Sequence, residues 1–172
     1  MLWVNIKRRL VAVGIQVEHG EKKGISNTAK SSYYRSAIIL SCTIVEGMVY
    51  ELVKKSTAHV GNIVGSSLDH KERLKFPKAA FGITQDIIFC EKVRKDTHID
   101  DKGVDFGKLN IYLKNNGIVT SDEFALLNWI RLERNKIHLQ GLSTPDTNYT
   151  KRKIEKIGKA VVLLVSKLEA IL

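Results

Sequence analysis

The sequence predicts an all-α fold, an up-and-down bundle of about five helices with an irregular segment near residues 56–104. Three observations lead there. Only two prolines occur in 172 residues, Pro77 and Pro145, so most of the chain is free of helix breakers. A long apolar stretch, SAIILSCTIVEGMVYELV (36–53), runs far beyond the length of a strand. Elsewhere apolar residues recur at intervals of three and four, the spacing of one helix face. The length suits a single domain over 1–172.

The elements follow in order. Residues 3–18 suit a short helix, with Leu10, Val13 and Val17 at helical spacing beside Lys7, Arg8 and Arg9. EHGEKKGISN (18–27) is a loop by its glycines and charges. The next helix spans about Thr28 to Lys55, with a serine pair near its start and Gly47 its one weak point. Its middle is apolar nearly all round, which places it at the centre. Gly61, Gly65, Pro77 and Gly82 break the pattern over 56–83, and 84–95 is compatible with helix or strand. HIDDKGVD is a turn, with Asp100 and Asp101 in solvent. Residues 105–116 form a helix stopped by Gly117. Thr120 and Glu123 match a capping box, with Ser121 a competing cap, so a helix starts there and runs to about His138. Gly141 and Pro145 end it. The last helix runs from about Tyr149 to the C-terminus, basic at first and apolar later.

The net charge of +10 favours a polyanionic partner such as RNA, DNA or an acidic protein. Cys42 and Cys90 lie far apart in apolar runs, as reduced, buried thiols of a cytoplasmic protein do. His59, His70 and His98 lack ligand partners at metal-site spacing, so no metal or cofactor is expected. GNIVGSS (61–67) lacks the lysine of a phosphate-binding loop. Tyr33, Tyr34 and Tyr50 suit core packing better than base stacking. No secretory leader is apparent, and the apolar stretch holds Glu46 and Glu51, so no membrane span is expected.

The densest polar information lies in WIRLERNKIHLQG (129–141). On a helix Arg131, Arg134, Asn135 and His138 form one stripe, continued by Phe124 and Leu127. The neighbouring face carries Leu126, Trp129, Ile130 and Ile137. Nearby cations favour neutral imidazole, which can take a proton from a hydroxyl. Arginine's planar fork holds phosphate oxygens and steadies developing negative charge. Together these groups suit metal-free RNA cleavage. The plainer alternative is a solvated, salt-bridged helix face. Glu46, ionised within an apolar helix, calls for a partner such as Arg131 or Arg134, unless it reaches solvent.

ERNKIHLQG preceded by Arg131 resembles the signature of the HEPN superfamily, helical domains of prokaryotic toxin and defence systems. That signature is an arginine, four to six residues, then a histidine. Arg131 and His138 match it by spacing. Arg134 and Asn135 match its usual Arg-Asn opening, but stand only three residues from His138. The resemblance implies a metal-independent endoribonuclease acting as a homodimer. His138 would be the general base, Arg131 or Arg134 the phosphate-stabilising group, and Asn135 and Glu46 supporting residues. Lys151, Arg152, Lys153 and Lys156 would extend the RNA-binding surface, or would simply be an exposed helix face. An antitoxin protein is a further partner in such systems. Two alternatives stand beside this: a non-catalytic HEPN-like module for RNA or protein binding, and an unrelated helical scaffold or immunity-type protein.

Overall fold

The computed structural model describes residues 2–58, 61–76, 87–140 and 149–171. Within its elements the side chains of residues 2, 3, 72–76, 87–89, 91 and 138–140 lie outside the description. Five helices and a small two-stranded antiparallel sheet make up the described chain. Helix α1 spans Leu2–Gly20, α2 Asn27–Thr57, α3 Phe106–Asn115, α4 Ser121–Gln140 and α5 Lys151–Ile171. Strands β1 (Ile63–Phe76) and β2 (Ile87–His98) lie between α2 and α3.

Helix α2 is the axis of the bundle. Ser26, in extended backbone at φ −67° and ψ 155°, caps it by accepting the Ala29 N–H at 3.2 Å. The cap is thus earlier than the serine pair Ser31–Ser32. From Ala37 to Val53 the buried residues fill one half of α2, and Ile39, Leu40 and Tyr50 on the other half are apolar but only partly buried, which is why the sequence shows no single apolar face. By length and composition α2 could cross a membrane, but 56% of that stretch is buried inside the fold. Helix α1 folds back on it, with His19 edge-on to Tyr33 at 5.4 Å. The approach is close at Gly20: a Cβ there would stand 2.8 Å from the Tyr34 ring, so only glycine fits without a shift.

Asp105 caps α3 by accepting the Lys108 N–H at 2.9 Å. The chain leaves α3 through Gly117 at φ +66°, a left-handed conformation suited to glycine. The capping box of α4 forms in both directions. Glu123 Oε2 accepts the Thr120 N–H at 2.7 Å, and Thr120 Oγ1 accepts the Glu123 N–H at 3.3 Å. Helices α4 and α5 run antiparallel, since Lys153 meets Glu133, Lys156 meets Trp129, and Lys167 meets Glu123. The core is continuous, from Val45, Met48 and Leu52 on α2 through Leu113, Leu127 and Ile130 to Ile157 and Leu164.

The expectation of irregular chain over 56–104 needs correction. Ile63–Phe76 and Ile87–His98 pair in register from Ile63↔His98 to Phe76↔Ile87, with irregularities at Ile63/Gly65 and Glu72/Leu74. Residues 84–95 thus hold strand from Ile87 onward. Much of the ribbon faces solvent, Leu68 at 66% exposure. Among the described residues of the ribbon no side chain is fully buried, so no buried face imposes an apolar alternation that announces a strand. Asp100 and Asp101 are structural rather than merely solvated. Asp100 accepts the Tyr50 hydroxyl at 2.6 Å, and Asp101 accepts the His98 N–H at 2.7 Å. Cys42 is buried as expected, but Cys90 is exposed on the ribbon. His59, Pro77, Gly82, Gly141 and Pro145 lie outside the described residues.

Candidate functional site on the fourth helix

Helix α4 carries the polar stripe along the edge of the core. Leu127 is fully buried, while Arg131, Arg134 and Asn135 are half-buried. His138 lies in the same helix by its backbone, and its side chain is outside the description. Ile130 and Ile137 on the neighbouring face are buried.

The two arginines have different partners. Arg134 Nη1 stands 3.2 Å from Glu46 Oε1 on α2, each side chain about one third exposed. The carboxylate embedded in α2 is thus neutralised across a helix–helix contact. Arg131 donates from Nε to Asn128 Oδ1 at 3.1 Å, on its own helix. Its side chain lies over Gly107 in the first turn of α3, where a Cβ would come within 3.4 Å of Arg131 Cδ. Arg131 has no carboxylate partner among the described residues. The helix pair is closed by Cys42, whose Sγ lies 4.0 Å from the Ile130 carbonyl oxygen. Burial pushes the Cys42 thiol up to about 12, so it is protonated at neutral pH.

Glu133 was missed by the sequence reading. Its side chain is 6% exposed and accepts from Lys153 Nζ at 2.7 Å and Lys136 Nζ at 2.9 Å. Burial alone would raise its carboxyl, but the hydrogen bonds and charges of Lys153 and Lys136 outweigh that, and it titrates below the usual range. The signal was present: Glu133 falls in phase with the apolar positions Ile130 and Ile137, so it faces inward. Asn110 is another buried polar group, and its amide finds no hydrogen-bond partner.

The basic residues that open α5 do not act as one free patch. Lys151 pairs with Glu21 at 2.8 Å, Lys153 with Glu133, and Lys156 stands 4.0 Å over the Trp129 ring. Arg152 is exposed and without an ion pair among the described residues. No three His, Cys, Asp or Glu side chains gather as a metal site among the described residues.

The Glu133 network has a testable signature. Lys153→Ala leaves a buried carboxylate with one lysine that is itself 57% exposed. It should cost about 1–3 kcal/mol at pH 7, the penalty of an under-satisfied buried group. Lys136→Ala should cost under about 1 kcal/mol, as exposed pairs do. The folded Glu133 carboxyl lies below its ordinary 4.5. Its contribution is therefore complete above the unfolded value and is lost as pH falls through the lower folded value. Urea unfolding of wild type and Lys153→Ala should show a gap that shrinks on acidification, and a gap that widens would contradict this network.

Comparison with protein-family models, characterised proteins and solved structures gives no match to this chain.

Proposed function

We propose that this chain is a metal-independent endoribonuclease of HEPN type, acting on RNA as a cytoplasmic homodimer. The observation that carries the reading is the division of labour on α4. Arg134 is tied to Glu46, while Arg131, seven residues before His138 at the edge of the core, has no ion pair among the described residues. In this reading His138 takes the proton of a ribose 2′-hydroxyl, and the freed oxygen attacks the adjacent phosphate. Arg131 stabilises the extra negative charge on the phosphorane, and the 5′-oxygen departs. Arg134 and Glu46 are positioning residues, fixing α4 against α2, with Asn135 beside them. The guanidinium of Arg131 lies beside the first turn of α3, where the Asp105 carboxylate caps the helix.

The basic excess supports a polyanionic substrate, with Arg152 and Lys156 both exposed and without an ion pair among the described residues. Lys151 and Lys153 contribute less, since each is held by a carboxylate. A second reading is a non-catalytic HEPN-like interaction module in a toxin–antitoxin or defence system, with an antitoxin-type protein as partner. The solvent-facing β-ribbon favours it, because such a ribbon offers a large surface for a partner.

The test compares wild type with His138→Ala on mixed RNA in the presence of a chelator. Cleavage by wild type and a loss of about 10²-fold or more in the variant are expected for a general base. Equal cleavage by both, or none by either, counts against the enzyme.

A further inference from the structure

A cavity of about 900 Å³ opens where the N-terminal ends of α2 and α5 meet, lined by Glu21, Lys30, Ser31, Tyr34, Tyr149 and Arg152 among others. It lies outside the residues assigned to catalysis above. The first two residues of each helix supply N–H donors without a partner among the described residues. In α2 the Ala29 and Lys30 N–H groups are satisfied by Ser26, which leaves those of Asn27 and Thr28 without a partner. In α5 the Lys153 N–H is satisfied by Thr150, which leaves those of Lys151 and Arg152 without a partner among the described residues. All four of these residues line the cavity. Two helix N-termini thus converge on one space, each carrying partial positive charge.

A second feature is independent of the helix ends. Ser31 is 8% exposed, and its hydroxyl has no hydrogen-bond partner among the described residues. Other helical serines here, Ser36, Ser41, Ser56 and Ser166, bond back to the carbonyl four residues earlier. Ser31 does not, and it stands on the cavity wall on the same stripe of α2 as Asn27 and Tyr34. A buried hydroxyl left unpaired is costly unless a ligand satisfies it. Among the described residues Lys30, Lys151 and Arg152 line the same space against the single carboxylate of Glu21, an excess of two positive charges. A phosphate monoester carries about that charge in the opposite sense at neutral pH. The volume far exceeds a free phosphate and lies in the range of sites for whole small molecules.

We propose that this cavity binds a phosphate monoester of nucleotide size, its phosphate held by the paired N-termini of α2 and α5 with Lys30, Arg152 and Ser31. The inference does not rest on the ribonuclease reading, since binding is read without cleavage. The experiment is calorimetric titration of the whole chain with adenosine 5′-monophosphate, inorganic phosphate and adenosine at low salt. The monophosphate should bind and adenosine should not. Binding at least tenfold tighter than inorganic phosphate assigns the phosphate to a nucleoside-sized carrier, and equal affinities would overturn that size assignment in favour of the free anion. Asn27→Pro removes one donor at a position where helices accept proline, and Ser26 before it already has the extended backbone that proline requires. It should weaken the monophosphate about tenfold, the worth of one charge-assisted hydrogen bond, with unchanged thermal unfolding. Arg152→Gln, at an exposed residue, should weaken it similarly. Adenosine binding as tightly as its monophosphate, no binding of either phosphate, or unaltered affinity in both variants would overturn the proposal.

Discussion

RNA cleavage by the Arg131→Ala protein is expected to fall about 10²- to 10³-fold, the usual loss when a group that stabilises transition-state charge is removed. Arg134→Ala should lose less in kcat and more in stability. Its guanidinium is already neutralised by Glu46 at 3.2 Å, so little net charge remains for a phosphate. Removing it strands a carboxylate within the apolar surface of α2. Glu46→Gln should separate the two roles. It frees Arg134 from its ion pair while keeping a hydrogen-bonding group of the same shape. If Arg134 is only a positioning residue, Glu46→Gln lowers activity modestly and the pH profile keeps its shape. A larger kinetic loss in Arg134→Ala than in Arg131→Ala would reverse the assignment.

The second large effect concerns folding alone. Ile130→Ala is expected to lower unfolding free energy by about 2–4 kcal/mol, through lost burial and the cavity left behind. Ile130 has no solvent exposure and sits where α4 crosses Cys42 of α2. Around it lie elements that are already close-packed, so little collapse into the space is available. Leu132→Ala on the same helix makes the control. Leu132 is exposed, and its loss should stay within about 0.5 kcal/mol. Urea denaturation midpoints at constant slope measure both, and equal shifts would contradict this view of the core.

The helices were legible in the sequence because burial on one side imposes a period on the residues. The α4 start was legible for a more local reason: Thr120 and Glu123 satisfy each other's backbone N–H groups, and no distant contact is needed. The β-ribbon was not legible. Strand pairing between Ile63–Phe76 and Ile87–His98 is satisfied by backbone groups, which leave no mark on side-chain composition. Cys90 was misplaced for the same reason, since an apolar run suggests burial and the ribbon exposes it.

At the candidate site the need of Glu46 for a cation followed from the cost of an unpaired charge, and Arg134 is the cation that meets it. Which arginine would do so depended on how α2 and α4 cross, and local sequence does not encode that. Glu133 shows the converse. Its inward phase was visible, but its two lysines come from one turn away and from another helix, and only the second required the fold. The four basic residues of α5 looked alike in sequence, and packing against Glu21, Glu133 and Trp129 gave three of them separate tasks.

The ribbon has a further consequence for how the chain is wired. Its two ends meet at the bundle: the Ile99 N–H donates to the Asn62 carbonyl at 2.9 Å, and Ile63 pairs with His98. His98 Nδ1 also lies 2.9 Å from the Gly61 carbonyl oxygen, in place to donate to it. Seen from the helices, everything between Asn62 and Ile99 occupies the place of one tight turn. Length and composition can therefore change along the ribbon while the α2–α3 connection stays closed at the same point. The molecule carries a graft site at its base, where the ribbon could be lengthened or exchanged without re-threading the core.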